Sequence, residues 1–265
     1  MFNRLFANMP PVVKNLLIIN LIIWGAMELV PSINAVLTRW CALRYFSSPG
    51  FNAAQLITYM FLHANFTHLL FNMFGLVMFG GVIERSMDSK RFLFYYLSCG
   101  IFAALVQMAV YAIVLSKYMP YYSHEQFRAM VEIGWDVMNG RHVPEYLLSD
   151  PSIVNIFTNP DYISINRIVN NLVNGPMVGA SGAIYAVILA FGMLFPNQPL
   201  YLFFLPIPIK AKYMVIGYGV IELLLGIGSF SDNIAHFAHL GGMISGVLLI
   251  LYWKKKGVFN NHWFF

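Results

Sequence analysis

The stretch GASGAIYA contains a single serine, Ser181, surrounded by residues with little or no side chain. A serine in a membrane helix usually donates to the carbonyl four residues earlier and has no further role. Here Gly179 and Gly182 remove the bulk beside the hydroxyl, so that a second helix or a substrate backbone could approach it. A serine hydroxyl becomes a nucleophile when a base takes its proton, and a neutral imidazole does this near neutral pH.

A histidine that could serve as this base lies in the stretch AHFAHLGGMISG. His236 and His239 are three residues apart, Gly242 follows His239 by three, and Gly246 follows Gly242 by four. These positions share one helical stripe, and the two glycines form a GxxxG motif for close helix packing. If this stripe packs against the small residues around Ser181, His239 meets the serine hydroxyl.

Donors for a developing oxyanion occur in the stretch FLHANFTHLLFN. His68 and Asn72 are four residues apart and therefore share a helical face, and His63 lies just before the apolar part. The backbone N–H of Ser181, near a helix start, is a further candidate donor. Loss of one such donor typically costs about 3–4 kcal/mol of transition-state stabilisation. The alternative for His68 and Asn72 is a hydrogen-bonded pair that joins two helices.

Two further polar side chains lie in apolar runs. Tyr185 follows Ser181 by four residues and shares its face. Glu222 lies well below the outer end of its run, where we expect a structural hydrogen bond and no direct catalytic role. Because no acidic residue is expected beside Ser181 and His239, the pattern predicts a Ser–His dyad without a third, acidic member.

The composition indicates a membrane protein. Hydrophobic residues make up 59% of the 265 residues and charged residues only 10%, compared with about a quarter charged in soluble domains. The net charge of +5 comes from basic residues beside the apolar runs, which favours membrane orientation over nucleic-acid binding. Cys41 and Cys99 lie in no metal-ligand spacing and are predicted to be structural, and no metal or cofactor is expected.

Six apolar runs approach the roughly 20 residues that a membrane-spanning helix needs. They cover about 12–30, 65–83, 92–116, 177–195, 212–229 and 234–253. The predicted fold is therefore all-α, a polytopic bundle of six transmembrane helices. Counted from the outer ends, Ser181 and His68 lie about one turn into their helices and His239 about one to two turns, so the three are expected at a similar depth.

Basic residues favour an orientation with both termini on the cytoplasmic side. The run 12–30 lacks a small-residue cleavage site and is expected to be a mature helix, not a signal peptide. We therefore expect an integral multi-pass protein of a bacterial cell (inner) membrane.

Residues 117–174 are polar and much longer than an ordinary loop. Two amphipathic helices are predicted in this insertion. One begins at Ser123, where Gln126 completes a capping box, and the other begins near Asp161. These helices could form a folded external cap or lie on the outer leaflet with their apolar faces in lipid. The connection 31–62 is also long.

The three motifs together resemble the rhomboid family of intramembrane serine proteases. The resemblance covers about residues 12–253, with Glu84–Arg85 similar to the family's turn after the second helix. The resemblance implies that Ser181 is the nucleophile and His239 the general base, with Tyr185 packed against that base. It implies that His68 and Asn72 stabilise the oxyanion. The residues that would support these groups are His63, Gly179, Gly182, Gly242 and Gly246.

The resemblance further implies a single domain over 1–265, with the insertion at about 117–174 between helices 3 and 4. The implied activity is that of an endopeptidase that uses a Ser–His dyad to cleave single-pass transmembrane proteins in or near the bilayer. Lipid is then its surroundings, and no nucleic acid, cofactor or metal is needed.

Two alternatives stay open from the sequence. The chain could bind and shield transmembrane clients without catalysis. It could instead be a transporter or hold a metal or haem on His63, His68, His236 and His239, although no carboxylate or cysteine is expected near them. Other proteolytic signatures are missing: HEQFR lacks the second histidine of HExxH, and GASGA lacks the final glycine of GxSxG.

Overall fold

The computed structural model describes residues 8–201, 208–228 and 235–259, and within them the chain is almost entirely helical. In chain order the helices are α1 (Pro11–Leu29), α2 (Pro31–Cys41), α3 (Gln55–Thr58), α4 (Phe66–Met87), α5 (Ser89–Ser116), α6 (His124–Met138), α7 (Glu145–Leu148), α8 (Pro151–Thr158), α9 (Pro160–Asn174), α10 (Ser181–Leu194), α11 (Ala211–Gly228) and α12 (His236–Lys255). A short antiparallel pair, β1 (Pro199–Tyr201) and β2 (Pro208–Lys210), lies between α10 and α11. The predicted all-α fold is confirmed.

Five of the described helices are long and apolar enough to cross a membrane: α1, α4, α5, α11 and α12. They coincide with five of the six predicted runs. The remaining run, 177–195, contains α10, which has 14 residues and is about 21 Å long. Because a hydrocarbon core is about 30 Å thick, α10 is shorter than a full span, and the predicted count of six membrane-spanning helices is not confirmed.

The helix α10 starts four residues later than predicted because the chain before it is extended. Gly179 has φ +122°, a conformation that side-chain-bearing residues rarely adopt. Met177 exchanges two backbone hydrogen bonds with Leu43, at 2.8 and 2.9 Å, and the Gly179 N–H donates to the Tyr59 carbonyl at 2.9 Å. These bonds hold the segment before Ser181 through an isolated β-bridge and fix the point where the helix begins.

The core of the bundle is built around α10, whose residues are mostly buried. The approach of α12 to α10 is so close that a Cβ on Gly242 would collide with the carbonyl oxygen of Gly182. Next along the stripe, a Cβ on Gly246 would lie 2.5 Å from the Tyr95 hydroxyl, which itself donates to the Ala186 carbonyl at 2.7 Å. The GxxxG face of α12 therefore packs on the small-residue face of α10.

At the far end of the bundle, Glu84 joins three helices. Its carboxylate accepts from the N–H groups of Val12 and Val13 at 3.0 and 2.9 Å and from the Ser89 hydroxyl at 2.6 Å. The first N–H groups of a helix have no partner within it. Glu84 thus caps α1 and ties it to α4 and α5.

The insertion folds into a helical unit, the cap, that contains α6, α7, α8 and α9. The capping box of Ser123 and Gln126 is present at the start of α6, and α9 begins at Pro160 beside the predicted Asp161. Two unpredicted short helices, α7 and α8, lie between them. The apolar faces of α6, α8 and α9 are partly buried against one another through Met130, Ile156 and Val169, whereas Met138 of α6 and Ile168 of α9 are exposed. The insertion therefore has a small apolar core of its own.

Arg44 anchors this cap to the connection 31–62. Its Nη1 donates to the carbonyls of Thr38 and Arg39 at 3.1 and 2.9 Å, its Nε donates to the Asn174 carbonyl at 3.2 Å, and its guanidinium lies 4.8 Å from the ring centre of Trp135. Burial lowers the pKa of Arg44. The cation is therefore held by carbonyl dipoles and an aromatic face that come from both the cap and the connection 31–62.

Substitution of Gly242 by alanine tests the packing between α10 and α12. We expect Gly242→Ala to lower the free energy of unfolding by about 1–3 kcal/mol, because a methyl group there forces the two backbones apart. The measurement is unfolding of purified protein in detergent. The matched control is Gly217→Ala in α11, where a Cβ meets nothing within 4 Å and the change should be neutral or slightly stabilising. Equal effects of the two substitutions would contradict this packing.

Candidate active site

Ser181 is the first residue of α10, not one turn into the helix as its predicted depth required. Its Oγ lies 2.7 Å from Nε2 of His239. The position also leaves its backbone N–H without an acceptor inside the helix, because the first four N–H groups of a helix have none. The hydroxyl and a backbone donor of the same residue therefore lie together at the start of the helix, where Ser181 is half-buried.

His239 is placed by packing on α10 and by the start of α12. The Tyr185 ring stacks on the imidazole with ring centres 4.3 Å apart and planes 6° from parallel. The Ala238 N–H, at the start of α12, donates to the Gln107 side chain of α5 at 3.1 Å. The imidazole plane is thus held between a tyrosine face and a fixed helix end, with one nitrogen aimed at Ser181.

Glu222 lies against the other side of this imidazole. Its Oε2 is 2.9 Å from Nδ1 of His239 and 2.6 Å from Nδ1 of His236, and its Oε1 accepts from the Tyr185 hydroxyl. Glu222 makes hydrogen bonds, as expected. The expectations that no carboxylate lies near the histidines and that no acidic residue lies beside Ser181 and His239 are wrong.

The reason is the close approach of α11 and α12. A Cβ on Gly226 would lie 3.3 Å from the Cβ of His236. Glu222 is about 6 Å further from the end of α11 than that glycine, and its long side chain extends to the ring of His239. The position of Glu222 along its own helix does not predict this contact, because the contact depends on how α11 and α12 approach each other.

The contact between Glu222 and His239 is close but not ideally directed. Although Oε2 lies 2.9 Å from Nδ1, Nδ1 has no hydrogen-bond partner of acceptable geometry within the described residues. Oε2 of Glu222 is thus close to Nδ1 of His239 but does not lie along the direction of its N–H bond. The pair is therefore a close polar contact with an incompletely aligned hydrogen bond.

The other predicted residues lie next to the extended segment before Ser181. A Cβ on Gly179 would lie 2.5 Å from Cε1 and 2.6 Å from Nε2 of His68, so the His68 ring lies on the backbone of that glycine. The ring of His63 is buried, 5.2 Å from the His68 ring, and burial lowers its pKa to about 3. Nδ2 of Asn72 donates to the His68 carbonyl at 2.8 Å, one turn back along its own helix.

Glu222, His236 and His239 are the donor set most suited to a metal in the described part of the chain, since their ligand atoms lie within 4.8 Å of one another. The closest pairs are 2.6 and 2.9 Å apart. Ligands of tetrahedral zinc, with bonds of about 2.0 Å, lie roughly 3.3 Å apart. The observed distances between Glu222 and the two histidines are therefore those of hydrogen-bonded groups and are shorter than the spacing of zinc ligands.

A family model described as the Rhomboid domain matches residues 51–116 and 152–256. The match leaves out all of α6 and all of α7, which belong to the cap.

Curated relatives carry the same family name. The chain is 26% identical over 77% of its length to an uncharacterised mitochondrial rhomboid protein of Schizosaccharomyces pombe, covering 52% of it. It is 35% identical over 36% of its length to the candidate rhomboid protease YdcA of Bacillus subtilis, covering 48% of it. It is 30% identical over 71% of its length to the mitochondrial RHOMBOID-like protein 12 of Arabidopsis thaliana, covering 42% of it.

The chain thus spans about half the length of these relatives or less. The family match covers more than half of the chain, and the helices around Ser181 and His239 lie inside it. This protein is a multi-pass membrane protein that belongs to the rhomboid family.

Proposed function

We propose that this protein is an intramembrane serine endopeptidase that cleaves transmembrane proteins in or near the bilayer by a Ser181–His239 dyad. The observation that carries the proposal is the separation of 2.7 Å between Ser181 Oγ and His239 Nε2. A base at this distance can take the hydroxyl proton as the oxygen attacks a carbonyl. Membership of the rhomboid family supports the same chemistry.

The proposed reaction has two halves. In the first, His239 Nε2 takes the proton of Ser181, Oγ bonds to the substrate carbonyl carbon, and the C–N bond breaks as His239 returns the proton to the leaving amine. In the second, His239 takes a proton from water as the water oxygen bonds to the ester carbonyl carbon. The bond from that carbon to Oγ then breaks, His239 returns the proton to Ser181, and the carboxylic acid product leaves. The negative oxygen in each half would be stabilised by the Ser181 N–H, His68 and Asn72.

The position of Ser181 at a helix end also supports a preference for unwound substrates. A helical substrate keeps its carbonyls in internal hydrogen bonds, so the segment to be cut must first become extended. A single-pass protein with a weak helix near the outer surface meets this need at the smallest free-energy cost. The partners proposed are therefore single-pass transmembrane proteins.

The orientation with both termini on the side opposite Ser181 is retained as part of the proposal. The basic ends of α12, at Lys254 and Lys255, and of the turn between α4 and α5 favour it. The relatives named above include mitochondrial proteins as well as a bacterial one. They do not support the prediction of a bacterial inner membrane.

Removal of either member of the dyad tests the proposed function. We expect Ser181→Ala and His239→Ala each to lower kcat by about 10⁴-fold or more, because the two groups act as a unit. The measurement is cleavage of a single-pass reporter protein reconstituted with the enzyme in liposomes. Ser86→Ala is the matched control, because the Ser86 hydroxyl donates to the Val82 carbonyl four residues earlier and should be dispensable. Undiminished cleavage by Ser181→Ala would refute the proposal, and retention of the reporter without cleavage by the wild type would favour client binding.

Removal of an oxyanion donor gives a second test. We expect His68→Ala to lower kcat by about 10²–10³-fold with little change in KM, because the donor acts mainly on the transition state. The control is His124→Ala in the cap, which is exposed and far along the chain from the site. A loss in KM alone would place His68 in substrate binding and not in oxyanion stabilisation.

A further inference from the structure

Glu222 is a buried carboxylate at the meeting point of three hydrogen-bond donors. Its side chain comes from α11, is 7% exposed and faces Tyr185 of α10 together with His236 and His239 of α12. Oε1 accepts from the tyrosine hydroxyl, and Oε2 lies within 2.9 Å of both Nδ1 atoms. One carboxylate thus joins the three helices that surround the serine.

The surroundings of this carboxylate are those that an ionised group requires. A charge removed from water is stable only when close donors replace the lost hydration. On α11 the nearest basic residue is Lys212, ten residues away and about 15 Å along the helix. The compensation therefore comes from the hydroxyl and imidazole N–H groups that contact it.

We propose that Glu222 is a positioning residue that holds His239 in the tautomer with the hydrogen on Nδ1. An ionised carboxylate only accepts hydrogen bonds, so it favours a protonated Nδ1 at 2.9 Å. The lone pair of Nε2 is then directed at the Ser181 hydroxyl, as a general base requires. The same negative charge stabilises the imidazolium that forms when the proton moves. This inference rests on the proposed function.

Tyr185 and His236 hold the carboxylate in this role. The tyrosine stacks on the imidazole and donates to Oε1, so a single side chain fixes the relative placement of ring and carboxylate. His236 occupies Oε2 at 2.6 Å and restrains its rotation. In an aligned Ser–His–Asp triad, loss of the carboxylate lowers kcat about 10⁴-fold. Because the contact here is less well aligned, we expect a smaller effect.

The test begins with Glu222→Gln, Glu222→Asp and Tyr185→Phe, assayed with the reconstituted reporter. We expect Glu222→Gln to lower kcat by about 10–100-fold with KM unchanged, because the carboxylate acts on His239 and not on substrate. Glu222→Asp should restore part of the loss, since it keeps the charge. Tyr185→Phe keeps the stacked ring, so it should fold even if the charge-removing variant does not, and it should lower kcat several-fold. The matched control is Glu84→Gln. Glu84 is also a buried glutamate, but its contacts are with α1 and α5, so the kcat of this variant per folded molecule should not change.

A second readout does not depend on proteolysis. Nitrogen-15 shifts of labelled histidine report which nitrogen of His239 carries the hydrogen, and they can be measured in the wild type and in Glu222→Gln. We expect the Nδ1–H form to dominate in the wild type and to decline in the variant. If the wild type cleaves no reporter but this shift is seen, the proposed function fails and the positioning role stands.

Two outcomes would overturn the positioning role. One is a Glu222→Gln enzyme with unchanged kcat and an unchanged tautomer of His239. The other is inhibition of the wild type by micromolar zinc that Glu222→Gln and His236→Ala both relieve, since the three groups would then be metal ligands.

Discussion

The close contact between the backbones of α10 and α12 is the constraint on which the rest of the site depends. Gly242 faces the carbonyl of Gly182 with no room for a side chain. Only at this separation does an imidazole on α12 reach a hydroxyl at the start of α10, at 2.7 Å. In lipid, helices associate through such packing because burial of apolar side chains provides little driving force. The glycines therefore determine both the stability of the helix pair and the geometry of its polar groups.

Around this contact, polar groups removed from water are arranged as one connected set. Ser181, His239, Glu222, Tyr185 and His236 form an unbroken series of contacts across three helices. Each contact offsets part of a desolvation cost that would otherwise be several kcal/mol per group. By contrast, both ring nitrogens of His63 and Oδ1 of Asn72 are buried without partners among the described residues. These unsatisfied groups lie beside His68, on the side of Ser181 where a substrate oxygen is proposed to bind.

The sequence was most informative where function depends on spacing within a helix. The periodicity of α12 placed His239, Gly242 and Gly246 on one face, and the small residues near Ser181 indicated where that face packs. The sequence was uninformative about contacts between two helices, because the residues at which those helices begin and end were unknown. Glu222 was misplaced because Gly226 allows an approach to His236 that no pattern within α11 indicates. The late start of α10 and the anchoring of the cap by Arg44 depend on backbone pairing between distant segments, which single-helix periodicity cannot express.

The extended segment before Ser181 also links the cap to the site. The last cap helix, α9, ends at Asn174, where the carbonyl accepts from Arg44 and the side chain accepts from the Ser48 hydroxyl at 2.7 Å. Six residues separate this anchor from Ser181, and the Leu43–Met177 pairing fixes them midway. The position of Ser181 is thus fixed by two contacts, one between the segment before it and the connection 31–62 and the other with α12. Because α10 begins at Ser181, the N–H groups of its first turn have no acceptors within the helix. The bonds between the preceding segment and the connection 31–62 therefore help to hold Ser181 in place.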